Sequence, residues 1–311
     1  MKKVVVIGGG HGQAVMLRGL KEIDSIELTT IVTVADDGGS TGRLRRDFHI
    51  PAMGDIRNVM IALAESESLL TKIMDYRFGS ESEDMDGHNL GNIILTALTD
   101  SCGSFMEAIQ QVSKVLAVKG DIIPSTLQVI TLHAIMEDGT IVRGESNIPK
   151  VRNQIQKVFY QQYVQATEES IRAINEADYI ILGIGSLYTS ILPNLIIPRI
   201  REAIRQSKAK MIYFCNAMTQ SGETEQYCME DHVDAIMRHL GDAIDVVYYA
   251  DDVIPQACLD NYAREHSTHV EIRDEKHDYE VVRMSLLEFD KNLVKHDAGK
   301  IREAFLKELG E

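Results

Sequence analysis

The chain has 311 residues, of which 44% are hydrophobic and 25% charged, and its formal net charge is -15 at pH 7. This size and composition are typical of a globular protein with one extended domain or two modest ones. The acidic balance argues against broad, nonspecific binding to nucleic acid or to an acidic membrane surface. It does not exclude a phosphate ligand, because salt screens exposed charges beyond about 8 Å and nearby arginines then decide the charge of a site.

The sequence also bears on the compartment. It begins with a strand-like segment that lacks the basic, apolar and small-residue order of a secretion signal, and no apolar stretch approaches the ~20 residues of a membrane helix. The 4 cysteines are scattered without a CxxC pair, which fits reduced core thiols better than a zinc site or a disulfide framework. We therefore expect a cytoplasmic protein with no membrane insertion and no nucleic-acid partner.

The first predicted element is a buried strand over residues 2–10 (KKVVVIGGG), followed by helix-spaced apolar residues over 11–23. A strand, a glycine turn and a helix N-terminus together form an anion site, because unpaired amides and the helix dipole favour negative charge. The dinucleotide fingerprint GxGxxG is incomplete, since Gln13 stands where the third glycine is required. The segment is either a phosphate site or only a tight connection between strand and helix.

Residues 31–58 (IVTVADDGGSTGRLRRDFHIPAMGDIRN) predict a strand that feeds a flexible, polar loop. Asp36 and Asp37 can hold a cation or accept hydrogen bonds from hydroxyl groups, and the glycines that follow let backbone N–H groups turn toward an anion. A helix is predicted over 55–65 with Asp55 as its N-cap. Arg57 in its first turn favours an anion in front of the helix, since the dipole alone would prefer an acid there.

The middle of the chain predicts helices and one β insertion. The helical patterns cover residues 68–76, 90–99 and 105–115, with an acidic surface loop at 79–87. Strand patterns at 128–135 and 140–144 flank a turn signal, Glu-Asp-Gly, and predict a hairpin.

From residue 177 onward strands and helices alternate, with strands at 179–184, 209–216 and 245–250 and helices at 194–206, 230–240 and 301–309. The whole order predicts an α/β fold, a Rossmann-like doubly wound and mostly parallel sheet with a β-hairpin insertion. We expect a single domain over residues 1–311, with the insertion at about 120–150 and a C-terminal extension at about 255–311.

Five polar clusters follow the predicted strands or begin helices. Three are described above, at 8–12, 36–43 and 54–58; the others are GHNLGN at 87–92 and GIGSLYTS at 183–190, with a smaller companion, NAMT, at 216–219. His88 can be a ligand contact, a general base or a helix-start donor. Because the carboxyl ends of parallel strands lie at one edge of a sheet, the clusters can converge on one crevice.

Six segments of the chain resemble the gluconeogenesis factor family (YvcK-like), related to 2-phospho-L-lactate transferase (CofD-like): GGGHG, TVADDGGSTGRLRRDF, GDIRNVMIALA, GHNLGN, GSLYTSILPNL and NAMTQSGET. The resemblance implies a Rossmann-like cytoplasmic bacterial protein that is needed for normal cell shape and for growth on gluconeogenic carbon sources. It also implies binding of UDP-sugars such as UDP-N-acetylglucosamine. The transferase relatives instead move a phospholactyl group onto a deazaflavin with the help of a divalent cation.

The clusters and the resemblance together predict the following ligand-binding residues: Gly9, Gly10, His11, Gly12, Asp36, Asp37, Gly38, Gly39, Ser40, Arg43, Asp55, Arg57, Asn58, His88, Asn89, Asn92, Gly185, Ser186, Leu187, Tyr188, Asn216, Met218, Thr219, Tyr262 and Lys295. The last two rest on the resemblance. The catalytic residues are unknown, with Asp36, Asp37 and His88 as candidates, and the first two are also candidate Mg²⁺ ligands.

The chain departs from the family pattern at four positions. His11 replaces the usual Thr of GGGTG, Ile184 the Pro of GPGS and Ser221 the Pro of TQPGET, and Lys295 stands where Arg is common. Lysine keeps the charge but loses the bidentate fork, so a diphosphate contact at this position is weaker or rearranged.

Two functions from different classes remain open. One is a UDP-sugar-binding regulatory protein without turnover, which acts through a cell-wall or metabolic regulatory protein. The other is a phospholactyl-type transferase in which Asp36 or Asp37 holds Mg²⁺ and arginines offset the charge of the transferred group. An NAD-dependent dehydrogenase is disfavoured by the missing glycine. No cofactor is firmly predicted beyond a UDP-sugar or other dinucleotide-like ligand, and a homo-oligomer stays among the alternatives.

Overall fold

The computed structural model describes residues 1–65, 69–79, 84–241, 244–273 and 275–311. Residues 80–83 of the predicted acidic loop at 79–87 and the first residue of the predicted helix at 68–76 lie outside the described residues. No helix in the described ranges has the length and apolar character needed to cross a membrane.

The strands, numbered in chain order, are β1 Lys2–Gly8, β2 Ile26–Val32, β3 Asp121–Pro124, β4 His133–Met136, β5 Ile141–Arg143, β6 Ile155–Phe159, β7 Tyr179–Leu182, β8 Lys210–Phe214, β9 Val246–Ala250, β10 Glu280–Met284, β11 Leu287–Asp290 and β12 Leu293–His296. The helices are α1 Gly10–Leu20, α2 Gly39–Phe48, α3 Gly54–Leu63, α4 Leu69–Asp75, α5 Leu90–Cys102, α6 Phe105–Val115, α7 Glu168–Glu176, α8 Leu192–Leu195, α9 Pro198–Gln206, α10 Met229–Leu240, α11 Gln256–Ala263 and α12 Ala298–Leu309.

A seven-stranded sheet forms the centre, in the order β10-β9-β8-β7-β1-β2-β3. All of its pairings are parallel. The order reverses at β1, which pairs with β2 on one side and β7 on the other. This central place explains its sequence, because a strand covered on both faces reads as a continuous apolar run, and Val4 through Ile7 are all buried. The predicted doubly wound α/β fold is confirmed.

The predicted hairpin is present as β4 and β5, which pair antiparallel. Its turn contains Gly139, whose φ of 83° lies in the left-handed region that glycine adopts without strain. β6 joins the other side of β4 and completes a three-stranded antiparallel sheet that the sequence patterns did not predict. The residues just before this sheet form β3, which belongs to the central sheet instead.

The last quarter of the chain contributes to the same core. β10 pairs parallel with β9 at the edge of the central sheet, and β11 and β12 form a hairpin. α12 packs against α1, so closely that a Cβ on Gly19 would lie 2.1 Å from the carbonyl oxygen of Ala298.

Two local predictions are wrong. The segment predicted as a flexible loop forms α2 from Gly39 onward, because Thr41 and Leu44 are buried on the side of the helix that faces α5. The helix predicted over 194–206 is two helices, α8 and α9, since Pro198 lacks an N–H and starts a new helix at its first position.

Candidate functional site

The carboxyl ends of β1 and β7 meet in a junction of close backbone contacts at Gly12 and Gly185, which we call the glycine junction. A Cβ on Gly12 would lie 1.1 Å from the carbonyl oxygen of Ile184, and one on Gly185 would lie 3.0 Å from that of Gly9. Gly10 has φ of 69°, in the left-handed region. Asn216, after β8, donates from Nδ2 to the carbonyl oxygen of Gly185 at 2.9 Å. Three of the predicted polar segments therefore lie together at this edge of the sheet.

The segment after this junction is a π-helical turn, Leu187–Ile191, which follows Ser186. The side chains of Leu187 and Tyr188 are buried, and the Tyr188 hydroxyl lies 2.8 Å from that of Tyr227. Glu223 holds the turn: it accepts from Tyr188 N at 3.2 Å and from Thr189 Oγ1 at 2.8 Å. Leu187 and Tyr188 thus belong to the core with their side chains, and their backbone is what faces the strand ends.

A second group of predicted residues forms a polar network where α2 and α5 begin. Ser40 Oγ lies 3.2 Å from His88 Nδ1 and accepts from Asn89 N at 3.2 Å and Asn92 Nδ2 at 3.4 Å. Asn89 caps α5 by accepting from Asn92 N. Asn89 Nδ2 and Asn92 Oδ1 are buried and have no hydrogen-bond partner among the described residues. Because buried polar atoms are nearly always paired, these two atoms point to a bound polar group at this place.

The surroundings of His88 favour its neutral form. Burial lowers the pKa of its imidazole, and the positive charge of Arg43 lowers it further. Arg43 itself donates to the carbonyl oxygen of Asp86. A neutral imidazole can accept a proton from Ser40 Oγ–H, so His88 keeps its place among the candidate catalytic residues.

Buried carboxyl side chains lie between the junction at the strand ends and the polar network around Ser40. Asp36 Oδ1 accepts from Gly38 N at 2.8 Å, and burial raises its pKa. Burial and the nearby charge of Asp36 raise the pKa of Asp55 to about 7. Asp55 was predicted to be the N-cap of α3, and this is wrong, because Met53 occupies that position. Asp55 lies one residue inside the helix, close to Gly9, where a Cβ would approach its Oδ2 to 2.6 Å.

Two further acids, Glu145 and Glu223, join Asp36 and Asp55 at this place, and the sequence patterns did not single them out. Burial and the charges of Asp36, Asp55 and other acids raise the pKa of Glu145 to about 8. Burial also raises the pKa of Glu223 to about 7. Glu223 lies in the segment NAMTQSGET that carries the resemblance, whereas nothing in the local sequence marks Glu145. We call Asp36, Asp37, Asp55, Glu145 and Glu223 the acid cluster.

A cavity of about 530 Å³ opens beside α1, and we call it the α1 cavity. It brings together four predicted residues from three separate segments: His11, Gly12, Asn58 and Lys295. Arg18 and His296 also line it, so cationic and neutral donors outnumber the acids Asp75 and Glu288. Lys295 lies on β12, whose backbone is held by Tyr262, since the hydroxyl of Tyr262 donates to the carbonyl oxygen of Val294 at 3.1 Å. Tyr262 therefore positions the strand that carries Lys295.

A second cavity, of about 590 Å³, lies between α2 and the antiparallel sheet; we call it the α2 cavity. Its cationic lining residues are Arg45, Arg46 and Arg143, and Asp37 contributes an acid. Asp37 Oδ1 accepts from Ser146 N at 2.9 Å, which joins the end of β2 to the insertion. Arg45 is already engaged, because its guanidinium donates to the carbonyl oxygens of Asp36 and Ile130.

Some predicted residues are engaged within the protein. Arg57 is 6% exposed and pairs with Asp75 at 2.9 Å, and it also donates to Asn58 Oδ1 at 2.7 Å. The anion predicted in front of α3 is therefore not needed to explain this arginine. Thr219 accepts from Thr268 N at 2.8 Å, and Met218 forms a bridge with His269. These contacts tie the segment after β8 to the one before β10.

The family model described as 2-phospho-L-lactate transferase CofD matches residues 4–287. A relative from Halalkalibacterium halodurans, described as gluconeogenesis factor, is 45% identical over 316 residues, which cover 98% of this chain and 96% of the relative. The chain belongs to the gluconeogenesis factor family, related to CofD. Another member, from Bacillus subtilis and also described as gluconeogenesis factor, is 43% identical over 304 residues, covering 96% of this chain and 95% of the relative.

Solved structures of the gluconeogenesis factor family share the whole fold. Two crystal structures of a Bacillus halodurans protein match this chain with TM-scores of 0.95 and 0.94 at 44% and 43% identity. The match with each structure covers 98% of this chain, and it covers 99% and 100% of the two solved chains. One of them is described as a member of the UPF0052 family. This chain and the Bacillus halodurans protein therefore share the central sheet and its flanking helices.

The resemblance attributes a divalent cation to the transferase relatives, and the carboxylate oxygens of Asp36 and Asp37 are of the type that binds one. Each carboxylate has one oxygen fixed by a backbone N–H, and burial raises the pKa of Asp36. Among the described residues, neither acid belongs to a group of three donor atoms within 4.8 Å of one another. Mg²⁺ does not need such a group, since it binds through one or two carboxylates and completes its shell with water and ligand phosphates.

Proposed function

We propose that this member of the gluconeogenesis factor family is a cytoplasmic regulatory protein that binds a UDP-sugar, and that through a protein partner it controls cell shape and growth on gluconeogenic carbon sources. The observation that carries this proposal is the α1 cavity, which unites His11, Asn58 and Lys295 from distant segments. Its volume of about 530 Å³ lies within the range of pockets that bury a small-molecule ligand.

The charge distribution supports a pyrophosphate ligand. The N-terminus of α1 presents backbone N–H groups beside the cavity, and Arg18 and Lys295 add two cationic side chains. The acid cluster lies at the same strand ends, and its carboxyl groups already raise one another's pKa values, so the further negative charge of a bare diphosphate is unfavourable there. Asp36 and Asp37 would hold Mg²⁺, and the ion would supply positive charge that offsets part of the negative charge of the acid cluster.

Titration calorimetry with UDP-N-acetylglucosamine, with and without Mg²⁺, tests the proposal. We expect saturable binding, with the nucleotide recovered unchanged by chromatography. Lys295→Ala should weaken binding by about tenfold, because a charge-assisted phosphate contact contributes roughly 1.5–3 kcal/mol. Lys208→Ala, at an exposed position outside the cavity, is the matched control and should bind as the unaltered protein does. Silent titrations up to millimolar nucleotide would contradict the proposal.

The alternative is a CofD-like transferase that uses a divalent metal. It is favoured by the family model and by the acid cluster, since groups with raised pKa values are typical of sites that handle protons or cations. In this case the recovered nucleotide would be cleaved in a Mg²⁺-dependent reaction, and Asp37→Asn would abolish the cleavage. The same recovery experiment therefore separates the two functions.

A further inference from the structure

Three side chains of the types that bind metal ions lie together, away from the strand ends described above. Glu230, Glu275 and His277 place one donor atom each so that all lie within 4.8 Å of one another, and in the described part of the chain this is the one such group. Glu230 is in the first turn of α10, whereas the other two belong to the segment before β10. Two imidazole or carboxylate ligands of one metal ion typically lie about 3–4 Å apart, so this spacing needs only a small closure.

Glu230 is fixed for such a role before any ion binds. It is 3% exposed, and its Oε1 accepts from Arg273 N at 3.0 Å and lies 2.8 Å from His277 Nε2. Its Oε2 is also buried and accepts no hydrogen bond from a nitrogen or oxygen donor among the described residues, although the Cys228 thiol, a weak donor, interacts with this carboxylate. A buried carboxylate oxygen without a partner is costly, and a bound cation would satisfy it.

His277 is oriented toward the same place. Its side chain is 13% exposed, and its ring lies 5.0 Å from that of Tyr279 with 33° between the planes, which restricts its rotation. Nε2 faces the Glu230 carboxylate. A metal ion would bind this nitrogen in the neutral ring tautomer that carries its proton on Nδ1, and it would replace the hydrogen bond between Nε2 and Glu230. Glu275 is exposed and can close over the ion from outside.

Neighbouring charges do not fill the site. Arg273 directs its Nη2 to Asp231 Oδ1 at 2.6 Å, and its Nη1 is 4.0 Å from Glu275 Oε1. The arginine side chain therefore balances part of the negative charge, and an ion at this place would replace the hydrogen bond between Glu230 Oε1 and His277 Nε2. The donor set, one imidazole nitrogen and two carboxylates, suits Zn²⁺ and similar transition metals better than Mg²⁺ or Ca²⁺, which prefer oxygen alone.

We propose that Glu230, Glu275 and His277 form a binding site for a divalent transition metal ion of the Zn²⁺ type, with water in the remaining position. The ion would join the start of α10 to the segment before β10. These two are already connected by the hydrogen bond from Met229 N to the carbonyl oxygen of Glu271, at 2.8 Å. The metal would thus stabilise the loop that leads from Asn216 to α10, at its far end from the glycine junction.

The test uses the full chain after removal of metals with a chelator. We expect calorimetry with Zn²⁺ to show one equivalent that depends on His277, and Co²⁺ to give the visible absorption of a mixed nitrogen and oxygen site. Glu275→Gln should weaken the Zn²⁺ affinity by at least about tenfold, and His277→Ala should abolish this equivalent. Zn²⁺ should raise the thermal midpoint of the unaltered protein and not that of His277→Ala.

The matched control is Glu271→Gln, since Glu271 is an exposed glutamate in the same segment but outside the group of three. It should bind Zn²⁺ as the unaltered protein does. Equal Zn²⁺ binding by His277→Ala and the unaltered protein, or no saturable equivalent at all, would overturn the proposal. Because Glu275 is exposed and makes no contact in the core, its variant remains informative if His277→Ala does not fold.

Discussion

Asp55 is a buried acid whose ionisation opposes folding. Burial, and then repulsion from Asp36, raise its pKa from 3.8 to about 7. Between these values the folded protein holds a proton that the unfolded chain has released, so the stability from this group is complete below about pH 4 and is lost as the pH rises to about 7.

We predict that Asp55→Asn removes this pH dependence. Relative to the unaltered protein, its free energy of unfolding should rise by more than about 1 kcal/mol between pH 5 and pH 8, because one pKa unit corresponds to about 1.4 kcal/mol. Urea unfolding followed by circular dichroism measures this, since the chain has no Trp for fluorescence. Glu303→Gln, an exposed acid on α12, controls for the loss of one charge. A constant difference across this pH range would contradict the account of Asp55.

At the scale of an element, the π-helical turn after β7 depends on one side chain. Glu223 accepts from Tyr188 N and Thr189 Oγ1, and Gln220 Nε2 donates to it at 2.9 Å. All three donors come from segments that follow parallel strands. The π-helical turn also supports Gly185, and α1 begins against this glycine.

We predict that Glu223→Ala lowers the free energy of unfolding by at least about 2 kcal/mol, because it leaves two buried donors without an acceptor. Glu223→Gln keeps one acceptor oxygen and should lose clearly less. Urea denaturation of both variants measures the difference, and the affinity for UDP-N-acetylglucosamine should fall more in the alanine variant. Equal stability of the two variants would show that the hydrogen bonds of Glu223 do not hold the turn.

The whole molecule is closed by its last helix. Phe305 on α12 is fully buried, and its ring packs edge-on against Tyr179 of β7 at 5.4 Å. The same helix contacts α1, so residues from both ends of the chain share one core. The C-terminal segment is therefore needed for the part of the fold that carries the glycine junction.

We predict that Phe305→Ala lowers the free energy of unfolding by about 3–5 kcal/mol, as large truncations in a core do. If the chain unfolds as one unit, circular dichroism and tyrosine fluorescence should shift to the same lower midpoint. Arg302→Ala, exposed on the same helix, should change stability by less than about 0.5 kcal/mol. Two separate transitions in Phe305→Ala would argue for two independent domains rather than one.

Patterns that depend on neighbours along the chain were predictable. The apolar run before Gly8 identified the central strand, the Glu-Asp-Gly turn identified the hairpin, and α6 was predicted with its observed bounds. α2 was missed because its two glycines and four charged residues hide the few side chains that it buries, and the packing of α5 against it decides their burial. β6 was missed because an edge strand of a small sheet has only a short alternation, and pairing with β4 defines it.

The sequence by itself determined the parallel α/β architecture and the membership of the family, because strand periodicity and glycine motifs are local properties of the chain. Only the tertiary structure decided which predicted residues share a cavity, since His11, Asn58 and Lys295 are brought together by three separate elements. It also decided that Arg57 is paired and that Glu145 joins the acid cluster. Burial and charge–charge distances set these properties, and both arise from residues far apart in the chain.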